Sequence, residues 1–349
     1  MSSLDDLGYT PFFSAQFELL PDREGLTPAR ISAESHGLYE LVGCTATLGE
    51  LAGKLRGQLR AAERPVSGDW VAVSEHGERA TIRHVLDRRT SLVRRAAHRD
   101  GVPQAIAANV DVFFIVTSAN LELNPRRLER YLSAVWDSGA DPVLLLSKLD
   151  LVEDPVPLEA RLREIAGAAP VVSVSAYTGQ GMAELEGLLS AQKTVSFIGS
   201  SGVGKSSLAN RILGHEQQAI QSIGSEAKGR HTTTRRELLV VPGRGVLIDT
   251  PGMREFGMLE DEGGIDSAFP DVAERAKFCR FRDCSHEAEP DCAVVAATET
   301  GELSPERLRS YHKLKREVRS AQARQDPVLG ANVKRRWKAI HKAHRRSKR

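Results

Sequence analysis

The chain has 349 residues, with 48 Lys and Arg against 46 Asp and Glu, a formal charge of +2. A hydrophobic share of 41% is enough for packed cores and excludes wholesale disorder, and the length suggests two or three domains. The neutral total hides a split: from Pro305 to Arg349, 16 basic residues face 3 acids, a balance of +13 that leaves −11 for residues 1–304. No apolar run approaches the ~18–20 residues of a membrane span; the longest, Val110 to Thr117, has strand length and contains Asp111. The acidic start MSSLDDLGYT lacks the basic and apolar regions of a secretory signal. The expectation is therefore a cytoplasmic protein with no membrane partner.

Residues 1–28 show no readable element and are expected to form an N-terminal arm without an assigned function. From 29 to 98 the pattern is one of short strands: Leu38–Val42, Asp69–Val73 (entered through Pro65-Val66-Ser67-Gly68-Asp69) and Ala80–Val85. Short strands separated by turn residues suggest a small barrel. Arg88, Arg89, Arg94, Arg95 and Arg99 follow, read as a basic loop that contacts nucleic-acid phosphates beside that barrel. From 99 to 256 the texture changes. Apolar runs at Val110–Thr117, Pro142–Leu146, Val171–Val174, Thr194–Ile198 and Val246–Ile248 alternate with helix candidates at Pro125–Asp137, Leu158–Ala166, Met182–Leu189 and Lys205–Leu213. Buried parallel strands alternating with helices predict a doubly wound α/β domain. Residues 257–349 turn acidic, pass through a cysteine cluster and end in a helix-prone basic tail, with helices expected at Pro305–Ala323 and Val333–His344.

The segment Gly199-Ser200-Ser201-Gly202-Val203-Gly204-Lys205-Ser206 fits G-x-x-x-x-G-K-[ST] between a strand and a helix. Its glycines let backbone N–H groups close on phosphate oxygens, the helix N-terminus favours anions, Lys205 supplies charge to the β/γ phosphates, and Ser206, followed by Ser207, offers a hydroxyl to Mg²⁺. Asp249-Thr250-Pro251-Gly252 after an apolar strand reads as the metal-side element, with Asp249 reaching Mg²⁺ through water and Gly252 approaching the γ-phosphate. Gly229 to Thr234 lies between them, and a hydroxyl of Thr233, or of Thr232, is expected to complete the Mg²⁺ shell.

Ser147-Lys148-Leu149-Asp150 resembles the N-K-x-D guanine motif, and Ser175-Ala176-Tyr177 the S-A-[KLY] element that supports the base. A carboxylate at 150 accepts from guanine N1–H and the exocyclic amine, groups that adenine does not offer there. Ser147 stands where Asn is usual, so one supporting hydrogen bond is expected to be shorter or missing. Base recognition precedes phosphate recognition in the chain, the reverse of ordinary small GTPases. This is a circular permutation, tolerable because strand order in the sheet, not chain order, builds a site. It also ties the Asp249–Gly252 segment directly to the cysteine-rich module, a route from nucleotide state to partner binding.

Cys279, Cys284, His286 and Cys292 form a C-x₄-C-x-H-x₅-C set, three thiolates and an imidazole that suit one closed, structural zinc per chain. The +13 tail reads as an RNA phosphate contact, with Trp337 placed to stack on a base or to pack.

The barrel with its P-x-x-G-D motif, the permuted G-S-S-G-V-G-K-S core and the zinc set together resemble the RsgA family, circularly permuted small ribosomal subunit biogenesis GTPases of bacteria. The resemblance covers roughly residues 29–320. It implies a multidomain chain: an N-terminal OB-fold β-barrel, a permuted P-loop GTPase domain and a C-terminal zinc-binding domain with helices. It also implies GTP hydrolysis to GDP and phosphate on the late-maturing small subunit and its rRNA, by what is expected to be a monomer. Met253 occupies the place where Ras-like enzymes put a water-orienting Gln, so slow intrinsic turnover is expected, with His231 as the group that orients or deprotonates water on the ribosome. Two rival readings remain open at this point: a non-enzymatic RNA-binding assembly module that uses nucleotide structurally, and an ATPase, which Ser147 would permit.

Overall fold

The computed structural model describes residues 3–60, 63–95, 103–120, 123–200, 202–214, 237–241, 243–249, 265–266, 268–287 and 289–325. Helix α1 (Pro11–Glu18) precedes strands β1 (Thr27–Ser35), β2 (Leu38–Val42) and β3 (Leu48–Leu51), a short helix α2 (Gly53–Gln58), and strands β4 (Trp70–His76) and β5 (Arg79–Val85). These strands close a barrel in the order β1-β2-β3-β5-β4, with β1 bonded to β2 on one side and β4 on the other. The pairs are antiparallel except β3 with β5, the arrangement of an OB-fold. Alternation sorts the two faces. Ala29, Ile31, Tyr39, Leu41, Val71, Val73, Ala80 and Ile82 fill the barrel, whereas Arg30 and Trp70 point the other way and are also buried.

What buries that second face is the N-terminal arm. Leu7 and Phe13 are fully enclosed, and the rings of Tyr9 and Phe13 lie 4.8 and 5.8 Å from Trp70. The Arg30 guanidinium donates to the carbonyls of Leu7 (2.5 Å), Gly68 (3.1 Å) and Asn109 (3.1 Å), so one buried side chain joins arm, barrel and the following domain. The P-x-x-G-D turn belongs to the same joint. A Cβ at Gly68 would stand 2.0 Å from the Ala108 carbonyl and the residue adopts φ +97°, so only glycine fits. The fully buried Asp69 carboxylate accepts Val66 N–H at 2.7 Å and both donors of Arg88 at 2.8 Å.

That pairing corrects the expected basic loop. Strand β6 (Ser91–Arg95) forms an antiparallel hairpin with β7 (Pro103–Ala108), Arg88 is held by Asp69, and Arg89 is paired with Asp111. Two of the five arginines are therefore structural: Arg88 braces the barrel through Asp69, and Arg89 ties the segment after the barrel to Asp111 at the start of the sheet. Residues 96–102, Arg99 included, lie outside the described residues.

The α/β domain is a six-stranded sheet in the order β10-β9-β8-β11-β13-β12. Its strands are β8 (Val112–Ser118), β9 (Asp141–Ser147), β10 (Val171–Ser173), β11 (Thr194–Gly199), β12 (Glu237–Val241) and β13 (Gly245–Asp249). All run parallel except the edge strand β12. Helices α3 (Pro125–Asp137), α4 (Val156–Ala166), α5 (Met182–Gly187) and α6 (Lys205–Leu213) cover the faces. The central strands are buried on both sides, and for that reason they read as unbroken apolar runs. Asn124 caps α3 by accepting from Arg127 N–H at 3.1 Å.

The C-terminal module contributes α7 (Pro270–Ala276), α8 (Ala293–Glu299) and α9 (Pro305–Gln325), the last confirming the first of the two expected tail helices. Its Phe269, Val272, Val294, Leu308 and Tyr311 share one apolar cluster with Leu128 and Leu132 of α3. Arg307 fastens this contact. It pairs with the buried Glu129 at 3.3 Å and with Asp271, donates to Ala268 O at 3.1 Å, and lies 4.8 Å over the Phe269 ring. The helix expected at Val333–His344 lies outside the described residues.

Docking of the arm is a stabilising contact that can be measured. Phe13→Ala is expected to cost about 3–5 kcal/mol in denaturant unfolding, the range for a fully buried aromatic. A loss below ~1 kcal/mol would show that the arm contributes nothing to the joint.

Candidate nucleotide site and metal centre

Parallel pairing puts the ends of β8, β9, β10 and β11 on one edge of the sheet, where the chain reverses from outward winding through β9 and β10 to the opposite side through β11. Clefts at such a reversal are where open α/β sheets bind ligands. At this edge Ser147, Lys148, Asp150, Leu151, Ala176, Tyr177, Gly204, Ser207 and Leu208 line one cavity of 220 Å³. The two base-recognition segments and the phosphate loop, separated by up to five dozen residues of chain, thus share a single wall.

Asp150 sits in a single 3₁₀ turn, Leu149–Leu151, that starts from a left-handed Lys148 (φ 59°). Its carboxylate accepts from the Ser175 hydroxyl at 2.5 Å, and that hydroxyl accepts in turn from Thr178 N–H at 3.1 Å. Ser175 is fully buried, so the loop after β10 fixes the direction of the Asp150 carboxylate. Ser147 is 2% exposed, and its hydroxyl lies 2.9 Å from Thr117 O and 2.5 Å from Val203 O. The expected missing bond is therefore replaced: a short serine reaches both the neighbouring strand and the phosphate loop, because the loop approaches closely. One hydroxyl proton serves two acceptors.

The phosphate loop is shaped by a close strand crossing. A Cβ on Gly199 would meet Val116 O at 2.3 Å, and φ there is +145°. Lys205 Nζ arches back over the loop to Gly199 O at 2.8 Å and Ser200 O at 2.7 Å. This holds its charge above the backbone amides that face an anion. Ser206 and Ser207 open α6 and are exposed. The backbone of Asp249 ends β13, which runs parallel to β11 and pairs Ile248 with Ser196; the Ser196 hydroxyl donates to Ile248 O at 2.8 Å. Ser201, His231, Thr232, Thr233, Gly252 and the Asp249 side chain lie outside the described residues.

One set of contacts escaped the sequence reading. Arg127 Nη1 donates to Ser200 Oγ at 2.5 Å, and the Tyr131 hydroxyl hydrogen bonds to the same serine. The pair is spaced i, i+4 on α3, which places both on one face. Nothing local in the sequence marks a partner 73 residues away.

The metal-ligating set does converge. The donor atoms of Cys279, Cys284, His286 and Cys292 all lie within 4.8 Å of one another. Cys279 and Cys292 sulfurs are 3.8 Å apart, and each is 3.5 Å from His286 Nδ1. That sulfur separation is far beyond a disulfide bond of ~2.05 Å. Burial pushes the Cys284 thiol up to about 12, so a cation is the natural counter-charge for thiolates here. Cys292 caps α8, taking Val295 N–H at 3.5 Å, and His312 of α9 donates to the His286 carbonyl at 3.0 Å if its Nε2 carries the proton. The cluster can hold a metal ion.

Comparison with known proteins agrees with this layout. The model of the RsgA GTPase family matches residues 85–259. The chain belongs to the RsgA GTPase family. The small ribosomal subunit biogenesis GTPase RsgA of Opitutus terrae is 41% identical, covering 98% of this chain and 97% of that protein. The namesake of Streptomyces coelicolor is also 41% identical, over 93% of this chain and 90% of its own. The crystal structure of YjeQ from Thermotoga maritima superposes with a TM-score of 0.62 at 28% identity, covering 84% of this chain and 98% of that one. YloQ, described as a circularly permuted GTPase, gives 0.61 at 23% identity over 86% of this chain and 98% of its own, a likeness of fold. The OB barrel, permuted GTPase domain and Cys₃His module expected from this RsgA-family sequence are thus its architecture.

The Ser147 contact gives a test. Ser147→Ala leaves the buried Thr117 and Val203 carbonyls without their donor, worth about 1–3 kcal/mol. GDP affinity measured by calorimetry is expected to fall about tenfold, and the melting temperature by a few degrees, because the carbonyls lose this donor in the free protein as well. Unchanged affinity would remove Ser147 from the binding machinery.

Proposed function

We propose that this chain hydrolyses GTP to GDP and phosphate while bound to the small ribosomal subunit, and acts in the late maturation of that subunit. The observation that carries the reading is the single cavity shared by Asp150, Ala176 and the phosphate-loop residues Gly204 and Ser207. A carboxylate fixed by Ser175 selects guanine, which argues against the ATPase reading. Lys205 and the amides of residues 199–204 neutralise charge growing on the β/γ oxygens, and the base site holds the nucleotide in register with them. Bound Mg²⁺ would be held by the hydroxyls of Ser206 and Thr233, with Asp249 reaching it through water and Thr232 as the alternative ligand. That ion supplies further neutralisation of the same oxygens. Met253 has no group to direct water, so His231 is the residue proposed to orient or deprotonate it once the partner has placed its loop.

The metal of the Cys₃His set is proposed to be one structural zinc per chain. Zinc–sulfur bonds of ~2.3 Å and zinc–nitrogen bonds of ~2.0 Å in a tetrahedron imply edges of roughly 3.8 Å between sulfurs and roughly 3.5 Å from sulfur to nitrogen. The separations of 3.8 and 3.5 Å support that assignment. The basic tail, which lies outside the described residues beyond 325, is proposed to contact rRNA phosphates. The protein is proposed to act as a cytoplasmic monomer; among the described residues no helix is long and apolar enough to cross a membrane.

Phosphate release titrated with purified small subunits tests the reading. Stimulation by about tenfold or more is expected, with Lys205→Ala inactive at every subunit concentration. Equal rates with and without subunits would favour the assembly-module reading. Subunit affinity is also expected to fall steeply as salt rises, because released counterions drive phosphate contacts; a salt-independent affinity would contradict the role given to the tail.

A further inference from the structure

Among the described residues, the metal module exposes two aromatic rings. Phe278 is 79% and Phe281 42% accessible, on either side of the ligand Cys279. Other large apolar side chains of this module, Phe269, Val272, Val294 and Tyr311, are at most 3% accessible, so the pair is not the result of a thin core. The rings alternate with cations: the sequence runs Lys277-Phe278-Cys279-Arg280-Phe281-Arg282. The Arg280 guanidinium lies 5.6 Å from the centre of the Phe281 ring. Lys277 and Arg280 are tied to Glu274 and Asp291, whereas Arg282 is exposed and forms no ion pair among the described residues. Asp283, exposed, is the one acid of this stretch.

We propose that the Phe278–Arg282 knuckle is a binding platform for unpaired RNA bases, with Phe278 and Phe281 stacking on base faces and Arg282 meeting the adjoining phosphate. Three features of the knuckle suit that ligand. Flat π-faces bind any base without sequence preference, and each stacked base contributes enough to be lost visibly on mutation. An A-form duplex hides its base faces, so the rings select splayed or single-stranded nucleotides. Cys279 and Cys284 of the converging donor set bracket Phe281, so a bound metal would hold the loop in place and little conformational freedom would be lost on binding. The inference rests on the proposed ribosomal function for its biological partner, but its chemistry can be tested apart from it.

The test uses the full chain and a labelled single-stranded oligoribonucleotide, the same strand annealed to its complement, and an abasic strand of equal length. Wild type is expected to prefer the single strand with bases to both controls. Phe278→Leu combined with Phe281→Leu, which keeps apolar bulk, is expected to weaken single-strand binding roughly tenfold or more, leave abasic-strand binding unchanged, and retain bound zinc and basal GTP hydrolysis. Arg282→Gln, which removes no packing, is expected to lower the slope of log affinity against log salt by about one. Single-strand affinity that survives the double substitution with zinc still bound would overturn the proposal. So would loss of small-subunit affinity alone, which would make the surface a protein contact. If small subunits fail to stimulate wild-type hydrolysis, the ribosomal reading fails while the oligonucleotide result stands on its own.

Discussion

The parallel pairing of β8 with β9 on one side and β11 on the other is the constraint from which the site follows. Val112 to Ser118 align with Asp141 to Ser147, and Val112 to Val116 with Val195 to Gly199, so three loops from distant parts of the chain leave the sheet at one level. Chain order is irrelevant to this alignment. Only the register matters, and a one-residue slip is costly because it would exchange the side chains of two differently packed faces, Phe113 and Ile115 on one and Phe114 and Val116 on the other. The Ser147 hydroxyl then locks the alignment at the place where it counts, between Thr117 of β8 and Val203 of the phosphate loop. Base and phosphate recognition are thereby held at a fixed separation.

Around that core, charged side chains join the modules. Arg30 fastens the arm and barrel to Asn109, Arg89 ties the segment after the barrel to Asp111, and Arg307 ties α9 to Glu129 of α3. Burial pushes the Glu129 carboxyl up while Arg307 opposes the shift, so the pair depends on both partners being present. The same α3 presents Arg127 and Tyr131 to Ser200 of the phosphate loop. One helix therefore touches the nucleotide site with one face and the metal-binding module with another. This contact supplements the covalent link through Asp249–Gly252.

Features encoded locally could be read from the sequence, and those made by distant partners could not. The observed Pro125–Asp137 and Lys205–Leu213 match the helices expected near those residues; in the structure Asn124 and Gly204 stand at their starts. The Cys₃His set was legible from its short spacings. Strand β1 escaped because Pro28, Arg30 and a bulge at Ile31/Ala33 break its alternation, and β12 because it is a short antiparallel edge to a parallel sheet. Arg88 and Arg89 looked like a phosphate-binding loop because Asp69 and Asp111, 19 and 22 residues away, are not visible as partners in a linear pattern. The arm appeared empty for a similar reason: Leu7, Tyr9 and Phe13 have meaning only against Trp70.

The central claim is that the permuted loops form one guanine-nucleotide site with Asp150 as its selector. Equilibrium binding of GTP, XTP and ATP to wild type and to Asp150→Asn tests it most directly. The carboxylate accepts two protons from guanine; an amide instead accepts N1–H and donates to a 2-oxo group, which xanthine has and guanine lacks. Wild type is expected to prefer GTP over both others, and the variant to lose at least ~100-fold in GTP affinity while gaining affinity for XTP. Equal binding of ATP and GTP by wild type, or undiminished GTP binding by Asp150→Asn, would contradict the account.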